Sequence, residues 1–288
     1  MATSGGTASQ PSHKQMKKLL FAFLYRTRAV RLASWWNKRQ VMILCYHGVT
    51  KRVERSSQDK HGLHVRVDRF VMHLDHLQRY YHVISLREFV DASVANRPLP
   101  PHSVVLTFDD GYRNFLTVAA SSLAERGLPA SVFLITDLVR NDQPDPSRNW
   151  AAEDDETFLS WAEVRDLREQ QGFDFGSHTC SHLKLSTLPA EEAEKEMRRS
   201  QAAIVAQLNA SDFALAYPYG DYSAVVAERA RDIGYSCALT TEDGPNPQTA
   251  NIYTLRRTLV GDDDDEATFA VRVSGLVASI SRRRRSGR

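Results

Sequence analysis

Two adjacent carboxylates close an apolar run in Val104-Val-Leu-Thr-Phe-Asp-Asp-Gly-Tyr112. Val104 to Phe108 reads as a short buried strand, and Gly111 permits a sharp turn after it. Burying one carboxylate is costly, and burying two side by side is worse, because like charges oppose joint ionisation. A chain accommodates such a pair when one carboxylate holds a cation and the other holds or takes a proton. Taken alone, the motif fits a solvated Asp-Asp-Gly turn slightly better; two later stretches change that balance. Gly176-Ser-His-Thr-Cys-Ser-His182 carries two imidazoles four residues apart. On one helical turn, positions i and i+4 share a face, so both rings can reach one metal ion. By themselves they fit a solvated surface pair. Joined to a carboxylate from a neighbouring strand end, they make two His and one Asp with room for water, the donor set of a catalytic rather than a structural metal site. The remaining carboxylate is then free to act as a general base. The third stretch is Tyr217-Pro-Tyr-Gly220.

The elements that must position these residues alternate along the chain. Val41 to Tyr46 reads as a strand, Asp68 to Tyr80 as a helix with Phe70, Leu74 and Leu77 on one stripe, and Tyr81 to Ile84 as a short strand. Ser85-Leu-Arg-Glu88 has capping-box spacing and opens a helix before the Val104 strand. A helix is expected over Asn114 to Arg126, stopped by Gly127, then a strand over Ala130 to Ile135. Arg140 to Phe158 is polar, with Pro144, Pro146 and the acids Asp154 and Asp155, and reads as a surface loop. A second capping box, Ser160-Trp-Ala-Glu163, opens a helix to about Gln170. Strands at Phe173 to Ser177, Phe213 to Tyr217 and Tyr235 to Leu239 alternate with helices at Pro189 to Leu208 and Ser223 to Asp232. Repeated strand-then-helix units imply a parallel sheet, open or closed into a barrel. Chemistry in such folds gathers at the C-terminal strand ends. All three polar stretches directly follow a strand, so they would meet on one face.

Composition narrows the class without naming the chemistry. The chain has 288 residues, 42% hydrophobic and 25% charged, enough for one large globular domain. A net charge of +2 gives no whole-molecule reason to expect nucleic acid. Cys45, Cys180 and Cys237 are too few and too scattered for a disulfide framework or a Cys-type zinc site, so free thiols are expected. Charge is unevenly spread: no acidic residue occurs from Met1 to Val53, and the chain closes with Arg282-Arg-Arg-Arg285. No apolar run approaches the roughly 18 residues of a membrane span. The run after Lys17-Lys18 is followed by Arg26 and Arg28 rather than by a small-residue cleavage site, so no secretion signal is expected. Met1 to about Gln15 reads as a disordered tail. Lys17 to Lys38 reads as a basic helix carrying Leu19, Leu20, Phe23, Leu24, Leu32, Trp35 and Trp36. Two explanations compete for it: an interfacial helix on an anionic membrane surface, or a helix packed on the outside of the main domain, which is preferred because packing needs no partner.

Thr107-Phe-Asp-Asp-Gly-Tyr112, Ser177-His-Thr-Cys-Ser-His182 and Tyr217-Pro-Tyr-Gly220 resemble the successive motifs of the polysaccharide deacetylase family, the NodB-type carbohydrate esterases. The resemblance covers roughly Val41 to Phe269. It implies a distorted (β/α) barrel, a single catalytic domain over residues 41–278 between a basic extension at 1–40 and a basic tail at 279–288, and metal-dependent removal of acetyl groups from N-acetylated sugars. Carried over by residue, Asp109 is the base, and Asp110, His178 and His182 hold the ion. Tyr112, Pro218 and Tyr219 belong to the substrate groove, with a backbone N–H supporting the oxyanion. Zinc is the expected ion, and Co, Ni, Mn or Fe suit the same ligands.

Two departures from the family pattern matter. Many members carry an arginine just before the Pro-Tyr/Phe-Gly turn, where this chain reads Phe213-Ala-Leu-Ala-Tyr217; Arg256 or Arg257 is the substitute, and Arg256 is placed with the substrate-binding residues. Many members also have a late histidine as general acid, whereas no histidine follows His182 here. His47, in Cys45-Tyr-His-Gly48 after the first strand, is the replacement. His61, His64, His73, His76, His82 and His102 are read as structural. The expected partner is a carbohydrate and not nucleic acid, with peripheral membrane association through the N-terminal segment. The expected location is the cytoplasm, at the inner membrane face if the sugar is lipid-linked. A glycan-binding protein without turnover is the competing function; retention of Asp109 argues against it.

Overall fold

The computed structural model describes residues 13–27, 29–51, 63–142, 157–210 and 213–278. In chain order its helices are α1 (His13–Arg26), α2 (Ala29–Trp36), α3 (Val67–Tyr80), α4 (Leu86–Val94), α5 (Ala120–Ala124), α6 (Trp161–Gln171), α7 (Ala190–Leu208), α8 (Ala224–Ile233) and α9 (Glu266–Val273). Its strands are β1 (Gln40–Tyr46), β2 (Val49–Thr50), β3 (Val65–Arg66), β4 (His82–Val83), β5 (Ser103–Phe108), β6 (Ser131–Leu134), β7 (Asp174–Ser177), β8 (Leu215–Ala216), β9 (Ala238–Leu239), β10 (Asn246–Pro247) and β11 (Thr258–Leu259).

The sheet runs β10-β1-β5-β6-β7-β8-β9, with β4 against β5 and β11 against β1. Every described pairing in it is parallel except β1 with β10. β5 is buried at every residue, as a strand covered on both faces must be. The sheet curls until its ends approach across an extended segment, Leu255–Leu259. On one side the Leu255 N–H donates to the Ala238 carbonyl and the Leu255 carbonyl accepts from the Thr240 N–H. On the other, Thr258 and Leu259 pair with Leu44 and Cys45. This is the distorted (β/α) barrel implied by the motifs, and its closing segment carries the two late arginines.

Several local outcomes differ from the sequence expectation for identifiable reasons. The single basic helix is two, α1 and α2, interrupted where the Thr27 hydroxyl donates to the Leu24 carbonyl, a side-chain bond that competes with helical propagation. Residues 13–15 of the expected tail belong to α1. The helix expected from Asn114 begins as a π-turn, Phe115–Ala119, before tightening into α5. Asn114 is buried and its Oδ1 accepts from the Val49 N–H, which fixes that entrance away from α geometry. The Ser160–Glu163 capping box forms in full at α6. The segments after Leu239, including β10, β11 and α9, have no counterpart in the expected pattern. Residues 1–12, the acids at Asp154 and Asp155, His61, and the tail at 279–288 with Arg282 to Arg285 lie outside the described residues.

Candidate active site

The end of β5 carries the site. After Phe108 the backbone enters the left-handed region twice in succession, at Asp110 (φ 73°) and Gly111 (φ 77°). Gly111 is required there: a Cβ would lie 2.8 Å from Leu134 Cδ2. Asp110 is a non-glycine residue in a region that costs free energy, and such strain tends to persist where the surroundings fix a functional geometry. The turn sends the two carboxylates to different neighbours.

Asp109 meets Arg257. The guanidinium donates through Nη1 to Oδ1 at 2.6 Å and through Nη2 to Oδ2 at 2.7 Å, a bidentate pair with Arg257 wholly buried. Arg257 Nε donates to the Thr240 carbonyl, which holds the fork in place. Of the two candidate substitutes for the missing arginine, Arg257 and not Arg256 pairs with the base. Successive residues of an extended segment point to opposite faces, so only one of two adjacent arginines can enter the barrel. Asn246 sets the phase by accepting from the Arg256 N–H and donating to the Arg256 carbonyl. Arg256 is left half-buried beside Glu242, 3.6 Å away. Burial raises the Asp109 carboxyl, but Arg257, His178 and His47 together outweigh it and hold the group well below the usual carboxylate range.

Asp110 has the opposite environment. Burial and the Asp109 charge push its carboxyl up to about 7, against the lowering influence of Arg257 and Tyr112. Its buried Oδ1 has no hydrogen-bond partner. That atom lies 3.5 Å from His178 Nε2 and 3.6 Å from His182 Nε2. His178 Nδ1 is 2.7 Å from the Ala216 carbonyl; donation along that contact places the proton on Nδ1 and turns the Nε2 lone pair toward Asp110. Burial pushes the His178 imidazole down to about 3 and lowers that of His182, so both are neutral at pH 7. Two neutral imidazoles and a carboxyl that a cation would deprotonate, spaced this way, suit one ion, since tetrahedral ligands at zinc bond lengths stand about 3.4 Å apart. The two histidines do not share a helical turn. Residues 178–184 are irregular, and left-handed conformations at Thr179 (φ 64°) and His182 (φ 61°) bring the second ring back toward the first.

A second group, Cys45, His47 and Asp109, has its donor atoms within 4.8 Å of one another. It fits a cation less well. Arg257 already neutralises Asp109, and burial pushes the Cys45 thiol up, keeping it protonated. The Cys45 S–H instead donates to Asp109 Oδ2 at 3.3 Å. All three cysteines are buried free thiols. His47 thus stands beside the carboxylate of the ion pair. Burial outweighs the attraction of Asp109 and lowers its imidazole to about 4, and its buried Nδ1 has no hydrogen-bond partner.

The groove side is built by the remaining motif residues. Tyr219 (φ 60°) is exposed, 4.6 Å ring to ring from His182, with Lys184 Nζ 5.3 Å from the Tyr219 ring centre. Pro218 is buried beneath that turn, and the Thr241 hydroxyl donates to the Tyr219 carbonyl. Tyr112 stacks on Phe158 at 5.2 Å and meets the edge of His64 at 4.8 Å. His64 therefore borders the site: its ring fills the space where a Cβ on Gly48 would lie, next to His47. No sequence signal marks it, because the stretch before Val65 has no periodic pattern. His73 is structural, with Nε2 2.8 Å from the Asp264 carbonyl and its ring stacked on Phe269. Cys45 and Asn114 are the other residues at the site that sequence reasoning passed over.

Comparison with known proteins is consistent with this arrangement. A family model described as polysaccharide deacetylase matches residues 96–238. The poly-beta-1,6-N-acetyl-D-glucosamine N-deacetylase of Escherichia coli (strain K12) is 25% identical over 223 residues, 67% of this chain and 33% of that protein. A chitin deacetylase of Pestalotiopsis sp is 28% identical over 135 residues, 47% of this chain and 40% of that protein. The chain thus spans about a third to somewhat over half the length of the curated relatives it matches. Among solved structures, Streptococcus pyogenes deacetylase PplD in complex with acetate aligns over 81% of this chain and 98% of its own, with a TM-score of 0.69 at 24% identity. IcaB from Ammonifex degensii aligns over 82% and 97%, with a TM-score of 0.68 at 23% identity. These two likenesses concern the fold.

Proposed function

We propose that the chain is a member of the polysaccharide deacetylase family, whose model matches residues 96–238, and that it hydrolyses the N-acetyl group of an N-acetylated sugar in a metal-dependent reaction, releasing acetate and a free amine. One observation carries the reading: a buried carboxylate held ionised by Arg257 lies next to a carboxylate–imidazole trio whose buried oxygen has no partner. Asp110, His178 and His182 would hold a divalent cation, which supplies Lewis acidity toward the acetyl carbonyl and a lowered pKa for water at the site. Zinc is the preferred ion, and Co, Ni, Mn and Fe share the ligand preference.

The protein's own residues supply the proton path. Asp109 stays ionised across the neutral range and accepts a proton from the attacking water as the C–O bond forms. The Arg257 pair fixes its orientation and also weakens it as a base, so the proton needs somewhere to go. His47 is the adjacent group. It is neutral, because burial lowers its imidazole, and can pass the proton from Asp109 to the leaving amine as the C–N bond breaks. Tyr219 and Tyr112 offer aromatic surface to the sugar from two sides of the opening.

The test is acetate release from a panel of N-acetylated oligosaccharides and lipid-linked sugars, with metal content measured on the same sample. The expected result is release abolished by a chelator, restored by added metal, and reduced at least about a hundredfold by Asp109→Asn with metal still bound. Full activity in that variant would remove Asp109 as the base. Stoichiometric metal with no release from any sugar would favour a glycan-binding role.

A further inference from the structure

α1 is apolar on two opposite faces. One face is spent inside the protein: Phe21 is buried, and Leu24 and Tyr25 are partly buried, against Ala270 and Val271 of α9. The opposite stripe carries Met16, Leu19, Leu20 and Phe23, between 53% and 66% exposed. Their i, i+3, i+4, i+7 spacing puts them within about 100° of one another around the helix. α2 repeats the arrangement, with Val30 buried and Leu32, Trp35 and Trp36 exposed at i, i+3, i+4. Seven of the fourteen large hydrophobic side chains exposed among the described residues thus fall within residues 16–36. A monomer gains nothing by displaying such a patch to water.

Charge identifies what covers it. Lys17, Lys18, Arg26, Arg31, Lys38 and Arg39 lie along or beside these helices, and no acidic residue precedes Glu54 in the sequence. The acids near α1 lie on its inner side: Glu266 accepts from the Tyr25 hydroxyl, Asp265 attracts Lys18, and Asp263 and Asp264 line a cavity with Lys17 and Lys18. No helix of the described residues is long and apolar enough to cross a membrane. Short helices with leucine, phenylalanine and tryptophan on one side and an excess of cations beside it suit the boundary between headgroups and acyl chains.

We infer that α1 and α2 form a docking surface for an anionic lipid bilayer and lie flat in its headgroup layer, with Phe23, Trp35 and Trp36 inserted. The surface is tied to the catalytic rim. Lys17, Lys18 and Phe21 share a cavity with Leu63, Leu259 and Val260, and Leu63 directly precedes His64 beside His47. Docking would therefore hold one edge of the active-site opening at the membrane surface. The inference stands on α1 and α2 and not on the deacetylase reading, because binding is measured without turnover.

The experiment is flotation of the full chain with phosphatidylcholine vesicles, with and without phosphatidylglycerol. The expected result is selective binding to the anionic vesicles that weakens as salt is added. Leu20→Ser/Phe23→Ser/Trp36→Ser should reduce it at least about tenfold, and Arg31→Gln/Arg39→Gln several-fold. These positions are exposed, so the melting temperature should not change, and a variant that melts early is replaced by the single Trp36→Ser change. No flotation of the folded wild type with anionic vesicles at low salt overturns the inference. A dimer in sedimentation that Phe23→Ser dissociates, with no vesicle binding, also overturns it and makes the face a self-association surface.

Discussion

Arg257 decides which of two adjacent carboxylates can serve as base. Both Asp109 and Asp110 are buried, and without a cation beside one of them desolvation would raise both. The bidentate contact at 2.6 and 2.7 Å lowers Asp109, and the resulting charge helps to raise Asp110. Because the Asp109 carboxyl is depressed, its contribution to stability is present above the ordinary carboxylate range and is lost as pH falls. Arg257→Gln removes the partner and leaves a buried charge, which typically costs about 3–5 kcal/mol. In that variant burial is opposed only by His178 and His47, so the Asp109 carboxyl rises. The acid limb of kcat/KM should move upward by more than about one pH unit, with a parallel loss of stability at neutral pH. A pH profile with an unmoved acid limb would mean that Arg257 is only a packing residue. Arg256→Gln, on the other face, should leave both readouts within about 0.5 kcal/mol of wild type. The sequence singled out both arginines but could not assign the inner one. In an extended segment one residue of phase exchanges inside for outside, and that phase is set by Asn246, ten residues upstream of Arg256.

The turns that follow the strands do as much as the strands themselves. Left-handed residues recur at Asp110–Gly111, Thr179, His182 and Tyr219–Gly220, each next to a group that faces the site. Gly220 shows how tightly one of them is held: a Cβ would collide with the Thr241 backbone nitrogen. Gly127 also has positive φ (61°) but nothing within 4 Å. The two glycines separate strain from collision. Gly127→Ala should cost only about 1 kcal/mol, for the backbone conformation. Gly220→Ala should cost a further ~1–3 kcal/mol and lower activity, because Tyr219 must move away from His182. Denaturant unfolding of both variants checks this, and equal losses would refute the close approach as the cause. The strands before these turns were legible, since their apolar runs end in polar motifs. The turn geometry was not. His178 and His182 at i and i+4 suggested a helical turn, and the same two rings are brought together by two left-handed residues. β10, β11 and α9 escaped notice because two-residue strands and an eight-residue helix leave almost no periodic signal.

Across the whole molecule, the trio of Asp110, His178 and His182 joins β5 to the loop after β7, with β6 between them. Those strands are separated by more than 60 residues of sequence, so a cation there would tie together parts of the chain that the unfolded state keeps apart. Binding to the folded state alone stabilises it by about 2.7 kcal/mol at a hundredfold excess over Kd. The cation-free protein carries the opposite tendency. The Asp110 carboxyl is raised to about 7, so the fold favours its neutral form. That contribution is complete below the ordinary carboxylate range and is lost as pH rises toward 7. Asp110→Asn removes the penalty and the ligand together. In a chelator the variant should be more stable than wild type above about pH 7, on the order of 1–3 kcal/mol, with the gain shrinking as pH falls into the carboxylate range. With saturating zinc the order should reverse, because only wild type gains from binding. Thermal melts of both proteins, with chelator and with zinc across that pH range, give the four curves needed. A zinc-induced rise of equal size in Asp110→Asn would place the ion elsewhere, and the cluster of Cys45, His47 and Asp109 would be the next site to examine.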